Sequence, residues 1–125
     1  MTPDKLKKRT KNFALTIIKI VETLPKVLSD QIIGKQLLRS GTSVGANYRS
    51  ACRARSSADF ISKMTIVEEE ADESIYWMEL LVEGGLLDEQ RLTSNITEAK
   101  ELLAITVSSI NTARKIGRAS CRERV

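Results

Sequence analysis

The chain predicts an all-α fold, an antiparallel up-down-up-down four-helix bundle. Three observations carry that expectation. Apolar residues recur at three- and four-residue spacing in four successive stretches. Pro25, Gly84 and Gly85 fall between stretches, where they stop helices. No stretch alternates apolar and polar residues between hairpin turns, so strands are not expected.

The first helix is expected from about Asp4 to Leu24, with Phe13, Ile17, Ile20 and Leu24 as its seam. Ala14, Ile18 and Val21 lie beside that seam, and Pro25 ends the helix because it lacks a backbone N–H. Ser29 or Asp30 is the expected cap of the second helix. Its core lane is Ile33, Leu37, Val44, Tyr48 and Ala51, interrupted at Gly41. The third helix starts near Ser56 or Ser57, with Asp59 favourable in its first turn. Phe60, Met64, Val67, Ala71, Ile75, Met78 and Val82 form its seam, and Gly84-Gly85 stops it. The fourth starts between Asp88 and Thr93 and carries Leu92, Ile96, Ala99, Leu103, Val107, Ile110 and Ala113. Short connections make sequence neighbours antiparallel.

At 125 residues and 42% apolar, the chain has room for one domain with a core. Only 4% is aromatic, so aliphatic side chains must fill that core. No apolar run approaches the roughly 20 residues that cross a bilayer. Met1 to Lys5 is charged, with no signal-peptide segment behind it, so a cytoplasmic chain with no membrane partner is expected. The bundle domain is expected to span 1–115. Ile116 to Val125 matches what one frame of sequencing-adapter read-through translates to, and a non-native tail is expected at 116–125. Without Arg118, Arg122, Glu123 and Arg124, a net +2, the formal charge falls from +4 to +2. Cys121 goes with them. Cys52 is then alone, which fits a reducing compartment.

Lys35, Arg39, Arg49 and Arg53 share one face of a continuous second helix, with Thr42 and Ala46 between them. Such a strip suits phosphate backbones or an acidic partner, but an ordinary solvated face with intersubunit salt bridges is the more common reason for one. No aromatic residue interleaves with the cations, which argues against base stacking. Lys5, Lys7, Lys8, Arg9 and Lys11 add to the strip. Gly34, Gly41, Gly45 and Cys52 form a lane of small residues where another helix can approach closely, and Gly41 and Gly45 are the candidate oligomer contacts. Trp77 joins them, because it sits about 100° off the third helix's seam. It fits a subunit contact and the flank of the core equally well.

Catalysis finds little support. Histidine is absent, so no serine or cysteine can be activated by one within the chain. Cys52 reads as a packed small residue. Gly41-x-x-x-Gly45 lacks a following Lys-Ser/Thr and is not a phosphate loop. Glu68/Asp72 and Glu69/Glu73 are spaced as carboxylate pairs, yet dimetal bundles also need histidine. A charged exterior is expected there. Accordingly no catalytic residue, metal ligand or cofactor is assigned.

Four ordered segments carry a family resemblance: Gly34 to Ser40, Ser43 to Arg49, Ala58 to Met64 and Glu70 to Met78. They resemble the small four-helix-bundle proteins known from intervening sequences inside bacterial 23S rRNA genes, over Asp4 to about Lys115. The resemblance implies a four-helix bundle assembling with itself, as a ring-shaped homopentamer. It also implies a relation to the accessory proteins of diversity-generating retroelements, which bind reverse transcriptase and RNA through a basic surface. Most members have no established activity. The expectation is therefore a non-enzymatic homo-oligomeric scaffold that contacts RNA, DNA or a reverse transcriptase through a basic face. The alternative is a protein–protein interaction module with no nucleic-acid role.

Overall fold

Pro3 opens the first helix, where its missing N–H has no partner to lose. Thr2 caps it, accepting a 3.2 Å hydrogen bond from the Lys5 N–H. The computed structural model describes the backbone of residues 1–123 and the side chains of residues 1–117. Most side chains of the expected tail thus lie outside the described residues, those of Arg118, Cys121, Arg122, Glu123 and Arg124 among them.

The described chain is four helices: α1 (Pro3–Glu22), α2 (Leu28–Ala51), α3 (Ser57–Glu83) and α4 (Glu89–Glu123). α1 ends at Glu22, short of the expected Leu24, because the Thr23 N–H turns back to the Ile20 and Val21 carbonyls. Leu24 still reaches the core from the connection. α2 differs at its start. Val27 is its N-cap, with no side-chain cap, so neither Ser29 nor Asp30 has that role. Asp30 sits in the first turn and is buried, taking a 3.4 Å hydrogen bond from Ser29 Oγ. α3 starts where expected, at Ser57, and Ser56 caps it by accepting from the Asp59 N–H at 3.0 Å. Gly84 ends α3, and Gly85 follows at φ 73°, a conformation that favours glycine.

Each helix packs on its sequence neighbour and α1 closes on α4, while among the described residues the diagonal pairs keep their backbones apart. Contacts run in opposite order along neighbouring helices, so they are antiparallel. On α1 and α2, Leu24 meets Gly34, Ile17 meets Gly41, and Thr10 meets Gly45. Ile17, Leu37, Val44, Met64, Met78, Leu81, Leu92 and Leu102 form the centre of the core. α2 runs unbroken through Gly41, which is itself buried.

The α1–α4 seam is the thinnest of the four and is polar. Arg9 bonds Glu98 at 2.5 and 2.7 Å and Glu101 at 2.5 Å. Asn95 donates to Thr16 at 2.7 Å, and Arg91 to Thr23 at 2.9 Å. α4 therefore buries Leu92, Asn95, Ala99, Leu102, Thr106 and Ile110, while the expected Ile96, Leu103 and Val107 flank that seam half-buried.

Candidate nucleic-acid interface

Ten residues separate Arg39 from Arg49, and ten steps of about 100° leave them about 80° apart on α2. That angle divides the cationic strip. Arg39 leans toward α3, where it pairs with Glu70 at 3.0 Å and with Glu73. The hydrogen bond to Glu73 and then the charge of Glu70 hold its guanidinium above the ordinary arginine range. Arg39 is thus already matched by two carboxylates of its own chain.

Arg49 and Arg53 lean the other way, over α1. With Lys7, Lys8 and Lys11 they line a groove of about 560 Å³ between α1 and α2. Its remaining walls are Thr10, Ala14, Thr42, Gly45 and Ala46, and no carboxylate lines it. The groove's shape follows from Gly45. A Cβ there would stand 3.2 Å from Thr10 Oγ1, so glycine lets the two helices close at the groove's base. Five cations on two helices then face one trough without an internal counter-charge.

The other expected cations fall outside it. Arg9 is held by Glu98 and Glu101, and the Glu98 hydrogen bond leads in raising its pKa. Lys5 and Lys35 are exposed elsewhere on the surface. Lys7, Lys8 and Lys11 are therefore more central to the surface than Lys35 or Arg39. The sequence signal for them was their spacing: positions 7 and 11 repeat at i and i+4 on α1, but their facing helix was not legible.

The expected oligomer residues are placed as follows. Gly41 is buried against Ile17, and Gly45 against Thr10, both within one chain. Their small size is thus accounted for by the α1–α2 contact. Trp77 is half-buried, packs on the core flank, and donates from Nε1 to Glu73 at 3.2 Å. Its ring meets that of Tyr76 edge to face at 5.1 Å. Cys52 departs from the expectation of a packed residue. It is the C-cap of α2 and exposed, because the helix ends where the lane would have carried it under α1. Among the described residues, no three acidic, cysteine or histidine side chains converge as a metal site. Nor is any described helix long and apolar enough to cross a membrane.

Similarity to known proteins agrees with this architecture. No curated protein matches the chain. A solved structure that resembles it is a protein of unknown function from the S23 ribosomal protein family of Bacteroides thetaiotaomicron. That protein is 35% identical, with a TM-score of 0.82, over 89% of this chain and 99% of the other. The family described as 23S rRNA-intervening sequence protein matches residues 4–108, from the first turn of α1 to near the end of the buried α4 seam. With the bundle, the glycine-mediated α1–α2 contact and that match over most of its length, the chain belongs to the 23S rRNA-intervening sequence protein family.

Proposed function

We propose that this chain is a non-enzymatic, self-associating scaffold that holds a nucleic-acid backbone in the α1–α2 groove. One observation carries the reading: Lys7, Lys8, Lys11, Arg49 and Arg53 line one trough that holds no carboxylate, whereas Arg9 and Arg39 are paired. Unmatched cations in a row attract phosphates by charge and by release of condensed counterions. No aromatic side chain lines the trough, so binding is to the backbone and indifferent to sequence. A single chain offers few contacts. Several copies, a pentamer in the reading that follows from the family resemblance, multiply them through effective concentration.

Support for self-association comes from the outer face of α2 and α3. Leu28, Ile32, Ile66 and Tyr76 are exposed there, around the Arg39–Glu70–Glu73 cluster. That same apolar face favours the second reading, an interaction module whose partner is another protein and which has no nucleic-acid role.

The test is a salt titration of single-stranded RNA binding by the full chain with Arg118, Arg122 and Arg124 replaced by alanine. Affinity is expected to fall with salt at a slope of about 0.7 per phosphate neutralised. Arg49→Glu/Arg53→Glu should abolish binding, and Lys35→Ala, outside the groove, should leave the slope unchanged. If both variants bind like the parent, the groove is not the interface and the protein-only reading stands.

A further inference from the structure

Tyr48 is 6% exposed, and its hydroxyl is paired with the Cys52 thiol, a weak hydrogen-bond partner. Tyr48 also lines a cavity of about 530 Å³ at the end of the bundle where α1 and α3 begin and α2 ends. The volume lies within the range that holds small ligands. Leu6, Phe60 and Ile105 supply apolar wall, while Lys7 and Cys52 join Tyr48 at the polar side.

We propose that this cavity binds a medium-chain carboxylate, its tail against Leu6, Phe60 and Ile105 and its head on the Tyr48 hydroxyl and the Lys7 ammonium. The chemistry of the walls selects that class. An apolar tail alone would leave the buried phenol with only the weak thiol partner. A purely polar ligand would leave the apolar wall uncovered. The amino ends of α1 and α3 both point to this end of the bundle, and their partial positive charge exceeds the partial negative charge of the single α2 carboxyl end that meets them. Asp4 opposes them, since its charge reaches the phenol, but it sits in the first turn of α1 where that helix end offsets it. Burial, and then the neighbouring Cys52 thiol, push the Tyr48 pKa up. The phenol thus remains a donor throughout the neutral range. Cys52 is a poor alternative partner, because sulfur accepts hydrogen bonds weakly. This site is distinct from the phosphate trough, although Lys7 borders both.

Calorimetric titration of the full chain with decanoate, below its micellar concentration, tests the assignment. Saturable binding of one decanoate per chain is expected. Tyr48→Phe should weaken it about tenfold, as loss of a hydrogen bond to a charged group does, with the circular dichroism melt confirming an intact fold. Decanol, which keeps the tail and lacks the carboxylate, should bind about tenfold more weakly than decanoate. Arg49→Ala/Arg53→Ala should leave decanoate affinity unchanged. Absence of saturable binding overturns the proposal. So does a folded Tyr48→Phe with parental affinity, or an equal loss in the groove variant, which would move the anion to the trough.

Discussion

Gly34 and Gly41 stand seven residues apart on the same lane of α2, and a methyl group would meet different neighbours at each. At Gly34 the added Cβ would stand 2.8 Å from Leu24 Cδ1, the far end of a flexible side chain in a connection. At Gly41 it would meet Cγ1 and Cγ2 of Ile17 at 3.0 Å and Cβ at 3.3 Å. Ile17 is fully buried and β-branched, so it cannot turn aside. Helix propensity favours alanine by about 1 kcal/mol at both sites. Gly34→Ala should therefore be neutral or slightly stabilising in urea denaturation. Gly41→Ala should lose about 1–2 kcal/mol net, because overpacking outweighs that gain. Equal midpoints for the two variants would contradict this account. Tyr48 supports a second expectation at this scale. In the unfolded chain the phenol ionises near pH 10. In the fold its pKa is raised, so above pH 10 the native state holds a proton that the unfolded state has released. Stability is then complete below pH 10 and declines as pH rises beyond it. Tyr48→Phe should flatten that decline in denaturation midpoints measured between pH 9 and 11. Much at this scale was legible. The cationic residues were visible in sequence, but which carboxylates faced Arg9 and Arg39 was not, since those partners lie 89 to 92 and 31 to 34 residues away.

Between helices, apolar spacing located most of the α1 and α3 seams, missing Leu6 and taking Val82 for the buried Leu81. On α4 it found Leu92, Ala99 and Ile110 but misplaced the residues between them. The error has a physical origin. α4 turns Asn95 and Thr106 inward, and a pattern built on apolar residues skips buried polar ones. Asn95 is satisfied across the seam by Thr16, and Thr106 by the Leu102 carbonyl, so burial costs them little. The same applies where α2 meets α3. Ser40 and Ser74 are fully buried with their hydroxyls 2.9 Å apart, and Ser74 also bonds the Glu70 carbonyl at 2.8 Å. Removing either hydroxyl leaves the other with a weakened set of partners, while removing both leaves two small apolar groups in contact. Ser40→Ala and Ser74→Ala should each cost about 1 kcal/mol. The double variant should cost clearly less than their sum, with a coupling of about 0.5–1 kcal/mol in a double-mutant cycle. Strict additivity would mean that the pair is not energetically linked.

The whole molecule presents two unlike surfaces: a cationic trough over α1 and α2, and an apolar face over α2 and α3. Leu28 and Ile32 lie within about 20° of Arg39 around α2, and Ile66 lies within about 20° of Glu73 around α3. The Arg39–Glu70–Glu73 cluster thus stands among exposed aliphatic side chains, with its cation already matched. A face with matched charge and exposed apolar groups can be buried against a copy of itself at small electrostatic cost, and such burial is the main favourable term in association. At tens of micromolar, light scattering should report a mass of several chains. Ile32→Glu/Tyr76→Glu places two unmatched carboxylates on the face and should reduce that mass to one chain, with helicity unchanged because both side chains are exposed. Leu15→Glu is the control. Leu15 is also exposed, but it lies on α1 away from this face, so its variant should keep the parental mass. The two surfaces are linked by concentration. A chain forced to the monomer keeps its trough but loses the neighbouring copies, so its RNA affinity should fall although no groove residue has changed. A parent that scatters as a single chain, or a double variant that stays assembled, would show that this apolar face serves some other contact. Undiminished RNA binding by a monomeric double variant would separate the trough's function from assembly altogether.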